Sequence, residues 1–163
     1  MVKILFICHG NICRSVSAQY ILEELLRRRG VTGVLADSAA TSREEIGNGI
    51  YPPMKAALGR MGVSVGDHRA RQMRAEDYEA YDLLIGMDRE NLYNMKRILG
   101  ADPEGKLHYL MEFAGRPGEA VEDPWYTRKF DSCASQIAEG CAGLLEHILN
   151  DPAFTCSASG AVL

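Results

Sequence analysis

The sequence predicts an α/β fold, a parallel sheet with helices on both faces, and three observations predict it. Short apolar runs of strand length alternate along the chain with longer stretches whose apolar residues recur every three or four positions. Glycines, prolines and polar clusters punctuate the junctions. The 163 residues are the length of one domain with one core, and strictly alternating strands and helices in one domain form a parallel sheet.

Each element follows from its own residues. Positions 2–7 are short, apolar and partly β-branched, and Gly10 and Asn11 interrupt them, as expected of a buried strand. In 15–29 the residues Val16, Ala18, Ile21, Leu22, Leu25 and Leu26 trace one helical face, and Gly30 stands where that helix stops. A second strand is expected over 34–39. Positions 53–61 read as a helix opened by proline and ended by Gly62, and 82–87 as another buried strand. Asp88 then caps a helix over 89–99, and 107–110 supply a fourth strand. After a loop over 115–126, Phe130, Ala134, Ile137, Cys141, Leu144, Leu145 and Ile148 mark the inner face of a final helix. Residues 1–150 are therefore read as a single domain and 151–163 as a flexible C-terminal tail.

Composition excludes several classes of function. With 47% hydrophobic and 25% charged residues the chain is neither disordered nor fibrous. A formal charge of -4 gives no global basic field for nucleic acid or an anionic membrane, so any anion must be held by local geometry. No apolar run approaches a membrane span, and the first is too short for a signal-peptide core. Five scattered cysteines, Cys8, Cys13, Cys133, Cys141 and Cys156, point to the reducing cytoplasm and not to a disulfide frame.

In parallel sheets ligands bind at the carboxyl ends of strands, beside the switch in strand order, which directs attention to the loop after the first strand. It reads Cys8-His9-Gly10-Asn11-Ile12-Cys13-Arg14-Ser15. A cysteine and an arginine five residues apart carry little alone. Five cysteines and 13 arginines in 163 residues give about 0.4 such pairs by chance, and each has an ordinary reading as a small core residue or a solvated cation. Context changes the reading: the cysteine ends a buried strand, arginine and serine open a helix, and Gly10 and Asn11 tolerate the positive φ that curls a loop into a ring of N–H groups. Such a ring cradles a tetrahedral anion. Cys8, facing N–H groups, a helix N-terminus and a guanidinium, is expected to ionise near or below neutral pH and to attack phosphorus. Arg14 presents a planar fork for two phosphoryl oxygens. Ser15 can donate a hydrogen bond to the sulfur, and Asn11 is the non-glycine expected in the left-handed region. A metal site built on Cys8, His9 and Cys13 would need a second ligand cluster, which the sequence lacks.

Together with Asp37-Ser38-Ala39-Ala40-Thr41-Ser42, Glu45-Ile46-Gly47-Asn48, Asp67-His68-Arg69-Ala70-Arg71, Met87-Asp88 and Asp123-Pro124, this loop resembles the low-molecular-weight protein tyrosine phosphatases over residues 2 to about 150. The resemblance implies a flavodoxin-like four-stranded parallel sheet and hydrolysis of phosphotyrosine in proteins through a phosphocysteine on Cys8. It implies no metal or cofactor, and inhibition by phosphate-like oxyanions. It makes Asp123 the general acid and base, although an Asp-Pro pair is by itself a turn, as Asp102-Pro103 and Asp151-Pro152 are read here. It places Ser38 and His68 as partners of Asn11, bracing the loop. His9, His108 and His147 are read as structural, Cys133 and Cys141 as core, and Asp88 as a helix cap at least as readily as a catalytic group. Cys13 could pair reversibly with Cys8 under oxidation.

Three departures stand out. Glu44 occupies a position that is aromatic in many relatives, so with Arg43 it makes the substrate rim polar. Trp125 stands where tyrosine is usual and, beside Tyr126, could wall the ring alone. Val16 replaces a helix-opening proline. Arsenate reductases share the cysteine loop but need two further cysteines near the third strand, and 82–99 contain none. Protein-arginine phosphatases carry threonine in the loop where this chain has Ile12, which favours phosphotyrosine. A non-catalytic phosphotyrosine-binding module would have no use for Cys8, Arg14 and Asp123 together. A cysteine that must be ionised beside an acid that must be protonated gives an acidic optimum and a bell-shaped pH profile.

Overall fold

The computed structural model describes residues 1–155. Its centre is a four-stranded, all-parallel sheet in the order β2-β1-β3-β4, made of β1 (Val2–Cys8), β2 (Val34–Ala40), β3 (Leu83–Gly86) and β4 (Leu107–Tyr109). The helices are α1 (Arg14–Arg28), α2 (Pro52–Arg60), α3 (Asp77–Ala80), α4 (Arg89–Leu99), α5 (Pro124–Thr127), α6 (Phe130–Asn150) and α7 (Pro152–Thr155), with a 3₁₀ turn over Leu110–Ala114. This is the flavodoxin-like arrangement, and the long elements fall within a residue or two of their expected limits. The short ones, α3, α5 and α7, were not expected. A single turn has no periodicity to read. Pro152–Thr155 gives helical structure to the first part of the expected flexible tail; 156–163 lie outside the described residues.

Alternation along the strands divides the core. Ile4, Phe6 and Cys8 of β1 and Leu83 and Ile85 of β3 share one apolar layer with Ala18 and Leu22 of α1 and Ile137, Cys141 and Leu144 of α6. Leu5, Ile7 and Leu84 point the other way, to Met73, Tyr78 and Met95. Cys133 and Cys141 are core residues, and Val16, in place of proline, is buried. Close packing under α6 depends on glycine: a Cβ at Gly143 would run into the Phe113 carbonyl.

This topology sets the site. From β1 the chain runs to β2 on one side and then to β3 on the other, so the strand order switches at the carboxyl end of β1, where residues 9–13 lie.

Candidate active site

Cys8 closes β1, and the loop after it is held by its carbonyls. The oxygens of Cys8 and His9 accept from Thr41 N (3.0 Å) and Ser42 N (3.1 Å), that of Ile12 from Tyr51 N (2.8 Å) and that of Cys13 from Ser17 N (3.1 Å). The Asn11 oxygen accepts from His68 Nε2 at 2.6 Å. All five bonds leave the loop. A trans peptide points its N–H opposite its C=O, so the amides that follow these carbonyls face away from those partners, to the inner side of the loop. Ser15 N–H reaches that sulfur at 3.4 Å.

Asn11, fully buried with φ 59°, is the hub. Its Oδ1 accepts from Arg71 N (3.2 Å), and its Nδ2 donates to Ser15 Oγ (2.9 Å). Ser15 Oγ in turn lies 3.0 Å from Cys8 Sγ, and against a thiolate, which can only accept, its hydroxyl is the donor. A chain of donors thus ends on the sulfur. His68 braces the hub as expected, through the Asn11 carbonyl. Ser38 does not: its hydroxyl donates to Gln19 Oε1 at 2.6 Å, on α1, and the hydrogen bond to Asn11 expected of it is made by the Arg71 amide instead. That donor is main chain, and no side-chain motif announces it.

Burial pushes the His68 pKa below the ordinary histidine value, against the opposing hydrogen bond to Asn11. Neutral His68 keeps its proton on Nε2 to donate to the carbonyl. A depressed histidine binds fewer protons in the folded than in the unfolded chain. Stability therefore rises with pH through the window from the folded value up to the unfolded one, about 6.5, and is lost on acidification through it. His68→Gln, which keeps a donor but does not titrate, is expected to flatten this part of the profile of thermal midpoint against pH. His68→Ala should cost about 1–3 kcal/mol by leaving the Asn11 carbonyl unpaired. A wild-type slope retained in His68→Gln would refute the assignment.

Arg14, only 3% exposed, opens α1. Its Nη1 donates to Asp88 Oδ2 (2.7 Å) and to the Val121 carbonyl (2.8 Å), and its Nη2 lies 3.5 Å from Asp123 Oδ2. Burial works to lower its pKa, but Cys8, Asp88 and Asp123 outweigh it and raise the value, so Arg14 stays cationic. Asp88 has two tasks, since its Oδ1 caps α4 by accepting from Asn91 N at 2.8 Å. Asp123 Oδ1 caps α5, accepting from Trp125 N at 3.0 Å, which leaves Oδ2 facing Arg14, and the residue lines the cavity. Cys13, beside Cys8, is a free thiol whose pKa burial pushes far up, helped by Cys133 and Cys8.

A cavity of about 530 Å³ opens above the loop, lined by Cys8, Arg14, Asp123 and, at its rim, Glu44, Trp125 and Tyr126. His9, Gly10, Ile12 and Cys13 line it as well. Glu44 accepts from His9 Nε2 at 3.0 Å, which gives that histidine a place at the rim. Trp125 is 52% and Tyr126 82% exposed. Glu45 and Glu90 complete a rim richer in carboxylates than the sequence motifs indicated. Among the described residues, no group of three or more His, Cys, Asp or Glu could hold a metal ion, and no helix is long and apolar enough to cross a membrane.

Fold and site together define a protein of the α/β class with a cysteine-centred loop at the switch point of its sheet. Residues 3–153 match the family model described as low molecular weight phosphotyrosine protein phosphatase. The low molecular weight protein-tyrosine-phosphatase YfkJ of Bacillus subtilis is 34% identical over 150 residues, 91% of this chain and 96% of that protein. Its crystal structure superposes with a TM-score of 0.88 at 33% identity, covering 93% of this chain and 97% of that one. Low molecular weight phosphotyrosine protein phosphatase 1 of Drosophila melanogaster is 31% identical over 90% of this chain and 97% of its own. A Drosophila arginine phosphatase has a TM-score of 0.84 at 28% identity, over 92% of this chain and 99% of that one. The chain belongs to the low molecular weight phosphotyrosine protein phosphatase family of hydrolases.

Proposed function

We propose that the chain hydrolyses phosphotyrosine in proteins through a phosphocysteine on Cys8. The observation that carries this reading is the loop whose carbonyls at Cys8, His9, Asn11, Ile12 and Cys13 bond outward around a sulfur in contact with Ser15, with Arg14 and Asp123 lining the same cavity. The phosphoryl group lies on the inward amides, and Arg14 holds two of its oxygens. Cys8 Sγ attacks in line, so the S–P bond forms as the bond from phosphorus to the phenolic oxygen breaks. Asp123 gives its proton to that oxygen. In the second step Asp123, now a carboxylate, takes a proton from water as its oxygen attacks phosphorus, and the thiolate leaves, steadied by the Ser15 hydroxyl. No step draws on a metal or cofactor, and inorganic phosphate or a similar oxyanion competes for the loop. The four described cysteines are free thiols, as a reducing cytoplasm would keep them.

One observation favours a second reading. The carboxylate-rich rim would suit the guanidinium of phosphoarginine, the substrate class in the name of the Drosophila arginine phosphatase. Ile12 in the loop and the broad face of Trp125 favour an aromatic ring. Matched phosphotyrosine and phosphoarginine peptides, assayed with a chelator present, decide between them. The phosphotyrosine peptide is expected to turn over at least about tenfold faster in kcat/KM, with its optimum on the acid side. Faster turnover of phosphoarginine would overturn the assignment.

A further inference from the structure

Glu44 leaves the cavity without an aromatic wall on one side, so the ring rests on Trp125, whose helix α5 is a single turn of four residues. An isolated turn does not hold a half-exposed indole in one orientation. Something outside the cavity has to.

Tyr51 is placed to do it. It precedes α2, and its backbone N–H is the donor to the Ile12 carbonyl at 2.8 Å, which ties it to the phosphate loop. Its side chain makes no cap to α2 and turns instead to the back of the wall. The ring centroid lies 5.2 Å from that of Trp125 at 54° and 5.8 Å from that of Phe130 at 44°, both tilted contacts that aromatic quadrupoles favour. Its hydroxyl accepts from Arg128 Nη2 at 3.1 Å. Arg128 closes α5 in the left-handed region at φ 59°, and its guanidinium lies 5.6 Å from the Tyr51 ring centre and 5.3 Å from that of Phe130. One residue therefore joins the phosphate loop by its main chain to both ends of α5 by its side chain.

We propose that Tyr51 is a positioning residue that sets the Trp125 wall at a fixed distance from the phosphate loop and thereby selects phosphate esters whose ring reaches that wall. The proposal rests on the reading of Trp125 as the ring wall, and it separates two terms of substrate binding. The phosphate term uses the Tyr51 main chain, which any residue supplies. The ring term uses the side chain.

The test compares Tyr51→Leu, Tyr51→Phe and wild type. In Tyr51→Leu the KM for a phosphotyrosine peptide is expected to rise about 3–10-fold, the worth of an aromatic contact, while kcat and the inhibition constant of inorganic phosphate barely move. Tyr51→Phe, which keeps the ring, should restore most of the affinity. Trp125 is the only tryptophan, so its fluorescence anisotropy reports the wall without any substrate. Anisotropy should fall in Tyr51→Leu and hold in Tyr51→Phe. Wild-type KM and anisotropy in Tyr51→Leu would overturn the proposal, as would a parallel rise in the phosphate inhibition constant, which marks damage to the loop. If the wild type does not turn over phosphotyrosine, the function proposed above fails, and the anisotropy alone still decides the role of Tyr51.

Discussion

Cys8→Ser is expected to lower kcat/KM for p-nitrophenyl phosphate by about 10⁴-fold or more, while the protein still binds inorganic phosphate. The two halves of this result have separate causes. In the proposed mechanism binding depends on the inward amides and on Arg14, and the five outward carbonyl bonds that hold the loop do not involve the sulfur. Turnover in that mechanism depends on a sulfur nucleophile that leaves again in the second step. A serine alkoxide is far harder to form at the same pH and a far poorer leaving group once phosphorylated. Retained turnover in Cys8→Ser would place the chemistry elsewhere.

Asp123→Asn carries the second large effect, about 10²–10⁴-fold on phosphotyrosine. The loss should depend on the leaving group in the first step only. Phenolate from tyrosine needs a proton as it departs, whereas nitrophenolate hardly does. In the second step both substrates have become the same phosphocysteine, and the water that attacks it has lost its base. With p-nitrophenyl phosphate the variant should therefore release one equivalent of nitrophenol quickly and then stall. Asparagine can still accept from Trp125 N–H, so α5 keeps its cap and the effect reads chemistry, not folding. Equal losses of the first-step rate on both substrates would remove Asp123 from the role of acid.

How much of this the sequence reveals depends on whether the interacting groups are contiguous. Cys8 to Ser15 form one uninterrupted stretch between a strand and a helix, so their junction dictates a turned loop, and its placement at the sheet switch point follows from the alternation of elements. Asp123 is 115 residues from Cys8 by number and was recognisable only through its resemblance to a family motif. Contacts that cross the fold through main-chain atoms were not legible at all. The Val121 carbonyl that fixes Arg14 and the Arg71 amide that fixes Asn11 could belong to any residue type. Ser38 shows the opposite failure: its motif is legible, but its hydroxyl donates to Gln19 on α1, a residue the motif does not include. Asp88 was read as a helix cap at least as readily as a catalytic group; one carboxylate oxygen makes the cap, and the other, at the end of β3, accepts from Arg14, which no local motif announces. Tyr51 carried no signal, since nothing in its neighbourhood in sequence points to Trp125.

A covalent phosphoryl group on Cys8 is the intermediate on which the proposed mechanism turns, and rapid-quench mass spectrometry of Asp123→Asn mixed with p-nitrophenyl phosphate detects it. One phosphoryl group is expected to accumulate on the peptide containing Cys8, in step with the first equivalent of nitrophenol. Steady nitrophenol release without a burst and with unmodified Cys8, or a phosphoryl group on any other residue, would contradict it.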